Sequence, residues 1–318
     1  MRAALFYGLI SAFILTGCSF HEKPIKQWQT ALQGAYHASL SQDGTQLLLA
    51  SIHHGASLWD TTKNARLYNW NHHEGELTQV LTTAISPDGK FALTAEERDL
   101  VLWSTQNGKA FWLWKAPDDI YDAALTNDGR FALLGLGNYR ATFFDVRNGG
   151  VVREFRHQGP VRSVAISNDG RTALTGSEDL TAQVWDINTG KSRHVLQHAN
   201  QIRLVEISEN GRLGLTDASL EPAKIWNLDT GKLIHELNTK KINLASARFI
   251  SGGRHLVTGS TNRLVQLWDV PTGKLIKSWQ LPRTSKKQYT SASVHDVAVA
   301  GKNLLAVASD GYLFLLKR

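Results

Sequence analysis

Residues 157–186 read HQGPVRSVAISNDGRTALTGSEDLTAQVWD. Apolar side chains run or alternate over Val161 to Ile166, Ala173 to Thr175 and Ala182 to Trp185, the short periods of strands rather than of a helix. Between the first two, Asn168-Asp169-Gly170 supplies the Asp-Gly pair favoured in tight hairpins. The stretch therefore predicts three antiparallel strands, the last ending on Trp-Asp. Moving outward, that ending recurs as Trp59-Asp60, Trp103-Ser104, Phe144-Asp145, Trp185-Asp186, Trp226-Asn227 and Trp268-Asp269, at gaps of 44, 41, 41, 41 and 42 residues, with a degenerate seventh copy ending at Leu316. The turn marker keeps the same period, at Asp43-Gly44, Asp88-Gly89, Asp128-Gly129, Asp169-Gly170 and Asn210-Gly211, then Gly252-Gly253 and Gly301.

A period of roughly 40 to 45 residues is the signature of propeller blades. The pattern of strand a, Asp-Gly turn, strand b, loop, strand c ending in Trp-Asp, turn and strand d resembles the WD-repeat family. The resemblance covers residues 25–318 and implies an all-β, seven-bladed propeller in one domain. The last repeat stops at Arg318 without a strand d. Pro24-Ile25-Lys26-Gln27-Trp28-Gln29 matches the strand d segment Leu275-Ile276-Lys277-Ser278-Trp279-Gln280, so the first strand is expected to complete the seventh blade and remove an open sheet edge. The family also implies a buried tetrad, and blade four supplies it in His157, Thr175, Asp179 and Trp185. Six residues before the Trp, other blades carry His53, Glu97, Leu220 and Asn262, which leaves their tetrads partial.

Ahead of the repeats, Arg2 precedes an uncharged run from Ala3 to Leu15 and then Leu15-Thr16-Gly17-Cys18, the order of a secretory signal. The apolar run is shorter than the roughly 20 residues of a spanning helix. Leu15 to Cys18 resembles the lipobox of bacterial lipoproteins, which implies removal of residues 1–17, acylation of Cys18 and a short tether over 18–24. Ser19 after the Cys implies sorting to the outer membrane. Cys18 is the only cysteine, so no disulfide is available to the mature chain. The formal charge of +7 suits phosphate binding in a cytoplasmic protein. An exported address turns that reading toward acidic partners or anionic head groups, with no nucleic acid expected.

Chemistry-bearing motifs are scarce. Thr189-Gly190-Lys191-Ser192 has only the tail of a P-loop, and Thr-Gly-Lys returns at Thr230 and Thr272 as the c–d turn. His53, His54, His72 and His73, with Glu74 and Glu76, fall in neighbouring b–c and d–a loops and form a weak candidate metal set. No cofactor is expected. The a–b and c–d turns carry ten cations, Lys90, Arg130, Arg171, Arg212, Arg254, Lys302, Lys109, Lys191, Lys232 and Lys274, on the face where the lipid is expected. The opposite, loop-bearing face is divided. Acids lie over blades one to three, and Lys240, Lys241, Arg283, Lys286 and Lys287 over blades five to seven, the latter forming the candidate partner contact. The expected role is a monomeric, non-catalytic scaffold, tethered at a membrane facing the periplasm and binding protein partners of the envelope. The alternative is a periplasmic hydrolase or metal enzyme using the channel or the His-rich loops.

Overall fold

Short β-rich runs punctuated by Asp-Gly turns become strands wherever neighbouring runs can pair. The computed structural model describes residues 21–73, 75, 78–239, 241–283 and 292–318, and these form seven four-stranded antiparallel sheets with no helix among them. In blade four the strands are Val161–Ile166, Thr172–Ser177, Thr181–Asp186 and Lys191–Gln197, paired in sequence order. Inner strands of successive blades pack side by side around an axis, and the seventh packs on the first.

The ring closes through both ends of the chain. Lys26–Gln29 pairs antiparallel with Tyr312–Lys317 as the outer strand of blade seven, Lys26 facing Leu315 and Trp28 facing Leu313. Lys277 faces Leu267 in the same way in blade six, so the two segments aligned by sequence hold equivalent places. Just upstream, inside the stretch read as a tether, His21 and Glu22 lie along the outer strand of blade six. The Glu22 N–H donates to the Ser278 carbonyl at 3.0 Å, and Lys277 Nζ meets the Glu22 carboxylate at 2.9 Å. Glu22 bridges Trp279 in parallel, so the chain runs here from the c–d turn side toward the d–a side. Residues 1–20, with the proposed leader, Cys18 and Ser19, lie outside the described residues.

Apolar faces of neighbouring blades make the core. In one interface Leu93, Leu100 and Leu102 of blade two meet Ile120, Leu125 and Leu134 of blade three, all nearly or wholly inaccessible. Each such side chain stabilises the fold by about 1.5–3 kcal/mol relative to exposure. Approach between blades is close enough to need glycine: a Cβ on Gly176 would stand 2.5 Å from Ile202 Cγ2. Blades three and six also have glycine at this place, blades one, two and seven have Ala50, Ala95 and Val307, and blade five has buried Asp217, held by Arg203 Nη2 at 3.1 Å.

Six of the seven inner strands carry a register shift at their start, as between Val161 and Ser163 or Val294 and Asp296. Such bulges add local twist and re-aim side chains. Ser163 and Asp296 consequently line the central lumen.

Candidate functional site

The structure brings His157, Thr175, Asp179 and Trp185 together. The Trp185 indole N–H donates to Thr175 Oγ1 at 2.8 Å, Thr175 Oγ1 lies 2.7 Å from His157 Nε2, and His157 Nδ1 lies 3.0 Å from Asp179. With Thr175 already accepting from the indole, its O–H donates to Nε2 and the Nδ1–H donates to the carboxylate. Burial alone would raise the Asp179 carboxyl, but hydrogen bonds from His157, Thr181 and the Gln158 N–H outweigh it and hold it far below the usual range. Because Thr175 is wholly buried, this His-Asp pair orients an indole and offers no nucleophile to a substrate.

Blades two and five correct the expectation of partial tetrads. In blade two, Trp103 donates to Thr94 at 2.7 Å, His72 Nε2 meets Thr94 at 2.8 Å, and His72 Nδ1 meets Glu96 at 2.9 Å. In blade five, Trp226, Thr216, His198 and Glu221 repeat the chain at 2.8, 2.9 and 3.2 Å. The carboxylates are Glu96 and Glu221, each one place from the Glu97 and Leu220 picked by counting back from the Trp. That count assumes a constant b–c hairpin. Blade two is one residue shorter between Thr and Trp than blade four, and in blade five the left-handed residue, Leu220, precedes the acid.

This bonding removes His72 from the candidate metal set. Burial, with a smaller push from His73, lowers its imidazole to about 4 against the pull of Asp99, so the ring is neutral, with Nε2 bonded to Thr94 and Nδ1 beside Glu96. His53 stays in the b–c turn of blade one with φ 63°. Among the described residues no three His, Cys, Asp or Glu side chains are placed to hold a metal, and Glu74 and Glu76 lie outside them.

The turn face is not the ring of free cations its Lys and Arg suggest. Lys90 meets Asp88 at 3.3 Å, Arg130 meets Asp145 at 3.4 Å, and Arg171 and Arg212 lie 3.9 Å from Asp169 and Asp229. The acids of the Asp-Gly and Trp-Asp markers project on the same side as the cations, which weakens the expected attraction to an anionic bilayer. On the loop face, Arg98 forks onto Asp118 and Asp119 at 2.9 and 2.8 Å and offsets one charge of the predicted acidic sector. Of the predicted basic contact, Lys241 and Arg283 are described. Lys240, Lys286 and Lys287 lie outside the described residues. Arg283 borders a cleft of about 960 Å³ formed by His21, residues 23–27, Gln280 and Pro282.

The feature that sequence reading missed is apolar. The b–c turns of blades three, four and five place Tyr139, Leu180 and Leu220 in the left-handed region at φ 70°, 71° and 63°, with 51%, 40% and 74% of their surfaces exposed. Non-glycine residues rarely adopt this conformation, and Asn, Asp or Gly is the usual choice. A Leu in a turn directly after Glu178-Asp179 or Ala218-Ser219 was the available signal.

Inside the ring, a lumen of about 260 Å³ runs from His37 and His295 to Gln42 and Glu209. Its polar side chains tie neighbouring blades together. Asp122 accepts from the Val164 N–H at 2.9 Å and Ser163 Oγ at 3.0 Å, and Arg248 donates to Asp296 at 2.7 Å and to the Leu40 carbonyl at 3.0 Å. Burial lifts the Asp122 carboxyl to about 6 against these bonds.

The fold and its buried tetrads define a seven-bladed β-propeller. In agreement, the family model described as WD domain, G-beta repeat matches residues 149–186 and 231–269. Each match begins near strand d of one blade and ends on strand c of the next, the one-strand offset that lets an N-terminal strand close the ring. Among curated proteins, no relative matches the chain. WD repeats on such a propeller suggest a protein-interaction scaffold.

Proposed function

We propose that this chain is a non-catalytic scaffold of the bacterial envelope, held at a membrane through acylated Cys18, that docks a protein partner on the loop face of blades three to five. Tyr139, Leu180 and Leu220 carry the reading: three large apolar side chains project into solvent from adjacent turns at a conformational cost of about 1 kcal/mol each. Contact with a partner accounts for side chains that folding alone disfavours. The leader-like order of residues 1–18, the single cysteine and Ser19 support the address, facing the periplasm from the outer membrane. The basic residues Lys241 and Arg283 become a flank of the docking surface.

The test replaces Tyr139, Leu180 and Leu220 together by Asn in the full chain. Partner capture in cells should be lost while the melting temperature holds or rises. Capture at the parental level would overturn the docking surface. The tether is checked separately: Cys18→Ser should move the protein from the membrane to the soluble fraction, and a variant that stays in the membrane would refute it.

A further inference from the structure

Four inner strands place Ser39, Ala84, Ala124 and Ala165 at one level of the lumen, and two others place Glu206 and Arg248 there. Small side chains leave room at that level, and two long charged ones enter it. Arg248 turns toward Asp296 and the backbone of blade one. Asp122 and Asp296 spend their oxygens on neighbouring N–H groups and, for Asp296, on Arg248. Glu206 is different: among the described residues, it makes neither a hydrogen bond nor an ion pair, and its half-buried carboxylate lines the lumen without a partner.

We propose that the lumen is a site for one organic cation, an ammonium or guanidinium group, held by the carboxylate of Glu206. The class follows from the lining. Anions would meet four carboxylates, Asp122, Glu206, Glu209 and Asp296, against one guanidinium, and a divalent metal would lack three convergent ligands among the described residues. A monovalent cation carried on an alkyl chain needs one carboxylate and a narrow space between small side chains, which this level provides beside Arg248, whose own guanidinium is engaged by Asp296. Approach is from the loop face. Gln42 of blade one reaches across the turn-face mouth to Glu209 of blade five and accepts from Asn168 of blade four at 3.4 Å, whereas among the described residues no hydrogen bond crosses the lumen at its loop-face end. The cation is either a free amine or guanidine, or the Lys or Arg side chain of a protein docked on the loop face. The second source rests on the docking proposal above; the first does not.

Burial lifts the Glu206 acid to about 8, with Asp296 and Asp122 adding to the rise and Arg248 opposing it. The other titratable groups facing the lumen are His37, which burial and His295 lower to about 3, His295, also lowered by burial, and Glu209. Cation binding therefore expels a proton below pH 8 and should strengthen about ninefold from pH 6 to 7 and about fivefold from pH 7 to 8. Calorimetry on the full chain tests this with n-butylguanidinium in one arm and a blocked Gly-Arg-Gly peptide in the other. Glu206→Gln should weaken binding at least tenfold at pH 8.5 with an unchanged or higher melting temperature, and Glu206→Asp should retain the pH dependence. Binding of butylguanidinium points to a free ligand, and binding of the peptide alone points to a partner's side chain. Equal affinity in Glu206→Gln, an affinity indifferent to pH, or no binding in either arm would overturn the proposal, and none of these bears on the Tyr139, Leu180 and Leu220 test.

Discussion

Asp296, on the inner strand of the last blade, accepts the backbone N–H of Leu40 in the first blade at 2.8 Å, and so fastens the seam of the ring from inside. Arg248 completes the join by donating to Asp296 and to the Leu40 carbonyl. Removing the acceptor of these charge-assisted bonds in a half-buried pair strands Arg248, so Asp296→Ala should cost about 1.5–3 kcal/mol. Urea unfolding should show that loss, against less than about 1 kcal/mol for Asp169→Ala in an exposed turn pair.

The outer half of the same seam is the N-terminal strand. Trp28 packs against the cluster of blades seven and one that includes Leu305 and Leu313. Trp28→Ala should lower stability by about 2–4 kcal/mol. Hydrogen exchange should show the loss first in Tyr312–Lys317, the strand it pairs with. Uniform loosening of all blades would argue against closure by this strand.

Three buried acids set a pH slope. Glu206 is lifted to about 8, and Asp217 and Asp122 to about 6, chiefly by burial. Folded-state values above those of the unfolded chain mean that the contribution is complete below about pH 4 and disappears as pH rises through 6 and then 8. Melting temperature should fall between about pH 6.5 and 8, above the range where His37, His72, His198 and His295, held neutral by burial, add stability as pH rises. Glu206→Gln should flatten the upper part and gain on the order of 1–3 kcal/mol over the parent at pH 8, a figure reduced from the full shift because water reaches the lumen.

Leu220→Asn should stabilise the isolated protein by about 0.5–1 kcal/mol, since Asn tolerates the left-handed turn better than Leu. Thermal unfolding of the single variants at 139, 180 and 220 checks this, and a loss of stability at all three would remove the argument that these side chains are kept for contact.

Much of this architecture was legible in the residues. Asp-Gly turns and Trp-Asp endings, or their degenerate copies such as Gly301 and Leu316, keep a near-constant spacing that locates the blades, and the likeness of Lys26-Gln27-Trp28-Gln29 to Lys277-Ser278-Trp279-Gln280 locates the closing strand, because both depend on local pattern. The site was less legible. Glu96 and Glu221 were missed because hairpin length decides where a carboxylate lands, and Glu206 because nothing along the chain tells which inner-strand side chain is left without a partner across a lumen. Charge counting misread the turn face, since Asp145 and Asp229 arrive from other strands to meet Arg130 and Arg212.

Photo-crosslinking in living cells most directly tests the claim that the loop face docks a partner. A photoreactive residue is placed at 139, 180 or 220 on the loop face, or at 191 on the turn face. The account predicts one common protein adduct from all three loop-face positions and none from 191. An adduct formed from 191 alone, or no common adduct among the loop-face positions, would contradict it.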